Sequence, residues 1–127
     1  MYYIVDTDKS FYEASTDLEP VVLRLGFMVL YVHDLGATLR SKGIEFDDEC
    51  KVFELCNPRQ MERALVTDMR ANLALPWRIS VYTEDGNTKI GLLRPLPLVA
   101  ALSREAALTS AAREVEEKLV QMVDETR

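Results

Sequence analysis

The chain has 127 residues and a formal net charge of −6, a sign that disfavours binding to nucleic acid or to an anionic membrane surface. Its composition, 48% hydrophobic and 28% charged, is typical of a globular domain with its own core. No segment reaches the roughly 18 consecutive apolar residues of a membrane span, and the first residues lack the features of a signal peptide. We therefore expect one cytoplasmic domain whose thiols are reduced.

The N-terminal segment predicts a strand followed by an amphipathic helix. The strand covers about residues 2–7 and ends in a polar stretch. Ser10 and Glu13 then form a capping box, and the apolar residues that follow recur at steps of three and four. Pro20 lacks an amide hydrogen and crowds the preceding turn, so we expect a kink or a break in this helix.

Two further strands and a short helix are predicted in the next segment. Residues 27–32 are apolar at every position, which predicts a central strand covered on both faces. Asp34 can cap a short helix over about residues 35–42. A polar link then leads into an apolar strand that ends at Cys56.

A longer helix and a β-hairpin are predicted to follow. Asn57 is a suitable N-cap and Pro58 a favoured first residue of the helix. Residues 77–82 alternate between apolar and polar, as in a half-buried strand, and Asp85-Gly86 provides the hairpin turn to a partner strand over 88–94. The predicted buried stripe of the helix comprises Met61, Ala64, Leu65, Met69 and Leu73.

The C-terminal region is predicted to be helical, with an apolar seam that docks on the body of the protein or on a second subunit. We expect residues 1–97 to form an α+β body and residues 98–127 to form a helical extension within the same domain. The seam is spaced by four, three, four and three residues and comprises Leu108, Ala112, Val115, Leu119 and Met122.

Three segments of the chain carry a resemblance to a known family. They are His33-Asp34 before Lys42-Gly43, the run Val52-Phe53-Glu54-Leu55-Cys56-Asn57-Pro58, and Leu75-Pro76-Trp77-Arg78-Ile79-Ser80-Val81-Tyr82 with Gly86 and Pro95 after it. In order and spacing they resemble the bacterial family known as domain of unknown function 302. The resemblance covers residues 25–95, and the C-terminal helix is expected to be an addition.

This resemblance implies a structure more than an activity. The expected fold is an α+β two-layer sandwich, with a largely antiparallel sheet of about five strands backed by helices. Members of the family are often paired into homodimers, so a homodimer is expected here. The resemblance supplies no catalytic residue and no cofactor.

Cys56 is the first candidate for a functional side chain. A thiol at a strand-to-helix junction lies near unpaired backbone amides, which favour the thiolate form and so a reactive sulfur. The alternative is a small buried hydrophobe, because free cysteine is among the most buried residue types. Cys50 and Cys56 share one extended segment and lie roughly 20 Å apart, which is too far for a disulfide bond.

His33, Asn57 and Arg78 complete the set of candidate residues. His33 is the only histidine, so an imidazole-based proton transfer or metal ligand would have to use it. Its parity with Val29 and Tyr31 indicates an apolar face, where a hydrogen-bonded core histidine is the alternative. Arg78 faces away from the core side of its strand and could bind an anionic ligand or pair with a carboxylate across a dimer.

The sequence therefore predicts a homodimeric module that binds a small ligand or metal, or that serves as an interaction protein. The competing hypothesis is a thiol-dependent redox or transfer enzyme that uses Cys56 with His33. Neither hypothesis identifies a cofactor, because the chain has no phosphate-binding glycine loop, no Cys-x-x-Cys and no His-Glu-x-x-His. Asp47, Asp48 and Glu49 could attract a hard cation but lack the remainder of a calcium loop.

Overall fold

The computed structural model describes all residues, 1–127, and contains five strands and five α-helices. A 3-10 helix spans Met69–Leu73. In chain order the elements are β1 (Tyr2–Thr7), α1 (Phe11–Arg24), β2 (Met28–Asp34), α2 (Leu35–Ser41), β3 (Cys50–Cys56), α3 (Pro58–Thr67), β4 (Trp77–Glu84), β5 (Asn87–Leu93), α4 (Pro95–Leu102) and α5 (Ala106–Thr126).

The five strands form one antiparallel sheet in the order β1-β5-β4-β3-β2. Helices α1 and α5 pack against one face of this sheet, so the core lies between the two layers. Leu18 of α1 and Leu119 of α5 are fully buried there together with Ile79 of β4 and Ile90 of β5, two interior strands of the sheet. The predicted α+β sandwich with a largely antiparallel sheet is confirmed.

Helix α1 begins at the predicted capping box, with the Ser10 side chain accepting a hydrogen bond from the amide of Glu13. The helix continues without interruption through Pro20, so the expected break does not occur. Pro20 lies on the exposed side of the helix. Water can therefore hydrogen bond the carbonyl group that the proline leaves unpaired, which keeps the cost of a proline in mid-helix tolerable.

Strand β2 is an edge strand, and the prediction that it is central and doubly covered is wrong. Met28, Leu30 and Tyr31 are all exposed, with 61% of Tyr31 open to solvent. A β-bulge between Val29 and Tyr31 places one extra residue in the strand. The apolar run at 27–32 thus lies largely in an edge strand with several exposed side chains, and periodicity alone does not distinguish such a strand from a buried one.

The long helix predicted after Asn57 is divided in two. Helix α3 ends at Thr67, and the Asp68 side chain accepts a hydrogen bond from the Arg70 amide to start the 3-10 helix. This break rotates Met69 and Leu73 out of the predicted buried stripe, and both are exposed.

Helix α5 packs on the body of the protein and forms part of its main core. The whole predicted seam is buried against α1, α3, α4 and the sheet, from Leu108 to Met122. The seam is therefore not available to a second subunit. None of the helices combines the length and apolar character that crossing a bilayer requires.

The β4–β5 hairpin turns at Asp85 and Gly86, as predicted. Both residues have positive φ, 52° and 81° respectively, which matches the type I′ geometry that favours an Asp-Gly pair.

Candidate functional site

The face of the sheet opposite α1 and α5 is only partly covered: Val52 and Cys56 are buried on it, whereas its other side chains are half-buried or exposed. We call it the open face. Its members follow from strand register and alternation. They are Tyr2, Ile4 and Asp6 of β1, Lys89, Gly91 and Leu93 of β5, Arg78, Ser80 and Tyr82 of β4, Cys50, Val52, Glu54 and Cys56 of β3, and Met28, Tyr31 and His33 of β2.

A groove of about 390 Å³ lies on the half of the open face formed by β1, β5 and β4. Gly91 lies between Ile4 and Ser80 in the register. Because glycine has no side chain, nothing rises from the floor of the groove at that point. A Cβ atom at Gly91 would lie 2.8 Å from Cγ1 of Ile4, which is closer than real Cβ contacts. The groove is lined by Tyr2, Ile4, Ala74, Pro76, Trp77, Arg78, Ser80, Tyr82, Gly91, Leu92, Leu93 and Leu98.

The polar groups that line this groove have no partner in the protein. Neither the guanidinium of Arg78 nor the side-chain hydroxyls of Ser80 and Tyr82 take part in a hydrogen bond or an ion pair. These three residues alternate along β4 and therefore face the same side, about 7 Å apart from one to the next. A row of unpaired polar groups beside an apolar floor can orient a bound molecule.

Glu54 lies directly opposite Arg78 in the register but is bonded elsewhere. Its carboxylate contacts Nε2 of His33 on the neighbouring strand, so the two side chains form a His–Glu pair on the open face. The Tyr31 ring packs on the His33 ring with centroids 4.7 Å apart. This arrangement leaves the guanidinium of Arg78 free on the groove side.

His33 does not occupy the apolar core position that its parity predicted. The bulge in β2 shifts the alternation by one residue, so Val29 faces the helices whereas Tyr31 and His33 face outward. The histidine is consequently half exposed and paired with Glu54. The parity argument failed because it assumed an uninterrupted strand.

Cys56 is 1% exposed and is not among the residues that line the groove. Burial raises the pKa of its thiol, the opposite of the activation expected from the start of α3. His33 pairs with Val52, four residues before Cys56, which places the two roughly 13 Å apart along the strand. The fold does not bring the proposed thiol and imidazole together. Both cysteines are free, as expected from their separation.

Asn57 connects two parts of the chain and caps α3, as predicted. Its Oδ1 accepts a hydrogen bond from the Gln60 amide at 3.2 Å. Its Nδ2 donates to the Gly26 carbonyl at 3.2 Å, which ties the helix start to the loop before β2.

Replacing Asn57 by alanine should lower the free energy of unfolding by about 1–2 kcal/mol, because both contacts are lost. Urea denaturation followed by circular dichroism measures the change. Asn57→Asp keeps the cap acceptor and loses the donor to Gly26, so its loss should be smaller. Equal stability of Asn57→Ala and the unmodified protein would contradict the capping role.

Two of the three acidic side chains considered for a hard cation, Asp48 and Glu49, make other contacts. Glu49 forms an ion pair with Arg40 at 2.9 Å, and Asp48 accepts a hydrogen bond from Thr83 at 3.0 Å. No group of three or more His, Cys, Asp or Glu side chains is arranged to hold a metal ion.

Sequence reasoning identified Arg78 but missed the other groove residues. The alternation of residues 77–82 already indicates that Ser80 and Tyr82 share a face with Arg78. Gly91 and Ile4 carry no such signal, because their proximity to Ser80 depends on β5 lying between β1 and β4.

Fold and site together define a small α+β protein with one covered and one open sheet face. The family described as "Domain of unknown function DUF302" matches residues 3–126, and the chain belongs to that family. The match includes α5, so the C-terminal helix is part of the family fold and not an addition to it. A crystal structure of an uncharacterized conserved DUF302 protein from Bacillus stearothermophilus is similar, with a TM-score of 0.93 and 32% identity over 99% of this chain and 98% of that one. No curated protein matches the sequence.

Proposed function

We propose that this protein is a homodimeric, cytoplasmic module that binds a small ligand in the groove of its open face. The observation that carries the proposal is the row of unpaired polar groups, Arg78, Ser80 and Tyr82, beside an apolar floor at Gly91. A volume of about 390 Å³ lies within the range of small-molecule sites, roughly 300–1,000 Å³.

The surroundings of the remaining candidate residues argue against a catalytic role for them. Asn57 caps α3, and Cys56 is buried with a raised thiol pKa. The separation of Cys56 from His33 removes the partner that a thiol enzyme would need. A binding role is therefore favoured over the enzymatic alternative.

Ligand binding can be tested with a fragment library and amide chemical shifts of the isotope-labelled protein. We expect hits whose shift changes concentrate at Gly91 and Ser80, the two opposed residues of the groove. A library without hits, or hits that perturb only residues on the α1 and α5 side of the sheet, would contradict the proposal.

The second copy is proposed to dock on the free edge of β2, which leaves the groove between β1, β5 and β4 accessible. Strand β2 pairs with β3 alone, so its outer backbone groups have no partner in the sheet. An identical edge related by a two-fold axis can satisfy them through antiparallel pairing, which buries Met28, Leu30 and Tyr31 at the same time.

Replacing Tyr31 by glutamate should shift the protein from dimer to monomer, because the change would bury a charge from each copy in the proposed interface. Light scattering coupled to size exclusion measures the mass. Tyr12→Glu is the matched control, since Tyr12 is also exposed, at 76% against 61% for Tyr31, but lies on α1. An unmodified protein that is monomeric at all concentrations would rule out the dimer.

A further inference from the structure

We infer that the groove ligand is a small amphipathic carboxylate, and that Gly91 sets the width of the groove and hence the shape of ligand it accepts. This inference rests on the proposed function and names the ligand class of the same site. It follows from the charges around Arg78 and from the space around Gly91, which are independent observations.

Arg78 is the cationic group that remains available at the groove. Lys89, the other cation of the open face, lies 3.7 Å from Asp6 and 3.6 Å from Glu84, so two carboxylates offset its charge. Glu54, the carboxylate across from Arg78, is engaged by His33. The guanidinium can therefore offer its paired N–H donors to a carboxylate, the geometry for which arginine is best suited.

The groove surface next to Arg78 is apolar. Ile4, Leu93 and Leu98 line it with Trp77 and Pro76, and hydroxyl groups come from Tyr2, Ser80 and Tyr82. A molecule with a carboxylate at one end and an aliphatic or aromatic body matches this division. A multiply charged ligand does not match it, since no second unpaired cation lines the groove.

Gly91 keeps the floor of the groove open. A methyl group at this position would meet Cγ1 of Ile4 at 2.8 Å and the Tyr3 carbonyl at 3.3 Å. The backbone oxygen is held by the β1–β5 pairing, so the Ile4 side chain would have to move toward the groove. Flat, wide ligands should lose more affinity from this change than narrow ones.

The test uses four probes on the full chain at constant ionic strength: benzoate and hexanoate, with benzamide and hexanamide as neutral counterparts. Titration followed by amide shifts at Gly91 and Ser80 gives the dissociation constants. We expect each carboxylate to bind at least about tenfold more tightly than its amide, and Arg78→Gln to abolish that preference. Arg59→Gln, an exposed arginine on α3, is the matched control and should retain it.

The same titrations test the role of Gly91. Gly91→Ala should weaken benzoate more than hexanoate, and adding Ile4→Ala should restore benzoate binding because it removes the clashing atom. Equal losses for the two carboxylates, or no recovery in the double variant, would contradict this role.

The outcomes separate the ligand class from the proposed function. If amides and carboxylates bind equally, or if the fragment library gives hits in the groove while all carboxylates fail, the ligand class is wrong and the binding function survives. If neither the four probes nor the library perturbs the groove, both are wrong.

Discussion

Replacing Leu119 by alanine is expected to lower the free energy of unfolding by about 2–5 kcal/mol. Leu119 is fully buried at the contact between α5 and the rest of the core. Truncation removes its apolar contacts and leaves a cavity that the neighbouring helices fill only in part. Urea denaturation followed by the fluorescence of Trp77, the only tryptophan, measures the loss.

The control is Leu73→Ala, which removes the same atoms from a leucine that is 71% exposed. Its effect should stay within about 0.5 kcal/mol. Similar losses for the two variants would contradict the finding that α5 belongs to the main core. A large loss at Leu119 alone would show that the packing of α5 contributes to the stability of the whole domain.

The thiol of Cys56 should be alkylated more slowly in the folded protein than in the unfolded chain, because the sulfur is buried and burial raises its pKa, which lowers the thiolate fraction. The Cys50→Ala variant isolates this thiol. Iodoacetamide labelling with and without urea, followed by mass spectrometry, measures the ratio. Equal rates in the two states would show that the sulfur is accessible and would support the hypothesis of a thiol-dependent enzyme.

The raised pKa of Cys56 also predicts how stability depends on pH. The folded state holds this proton more tightly than the unfolded chain, so the contribution is fully present below the ordinary thiol pKa of about 8.5. It is lost as the pH rises from there through the folded-state pKa. Cys56→Ala should therefore show a shallower alkaline decline in the free energy of unfolding than the unmodified protein.

Local signals were sufficient to predict most elements of the fold. The capping box at Ser10, the cap at Asn57 and the Asp85-Gly86 turn each act within four residues, so their effect can be inferred without knowing the rest of the chain. The early end of α3 was missed because Asp68 competes locally with an apolar periodicity that continues beyond it.

The order of the strands in the sheet could not be predicted from the sequence, and the main wrong predictions follow from that. An apolar run is consistent with a doubly covered strand and with an edge strand whose apolar side chains are exposed, and β2 is the second kind. The state of Cys56 depends in the same way on distant residues. Its position at a strand end was correctly predicted, but its burial arises from neighbouring strands and loops.

The groove shows the same division between local and distant information. Arg78 faces outward by simple alternation, and the sequence could predict that much. The Arg78 guanidinium is free to bind a ligand because Glu54 pairs with His33 instead. The floor of the groove is formed where Gly91 lies beside Ile4. Those contacts join residues that are 21 and 87 positions apart.

The bulge in β2 has a consequence for evolution within the family. Leu30 and Tyr31 together occupy the space of one residue opposite β3, so a relative lacking Leu30 would still direct Tyr31 and His33 outward and Val29 and Val32 inward. Deleting one residue here therefore leaves the direction of every neighbouring side chain unchanged. The same deletion in β3 or β4 would move the side chains beyond it to the opposite face of the sheet. Length variation among homologues should be tolerated at this position and selected against in β3 and β4.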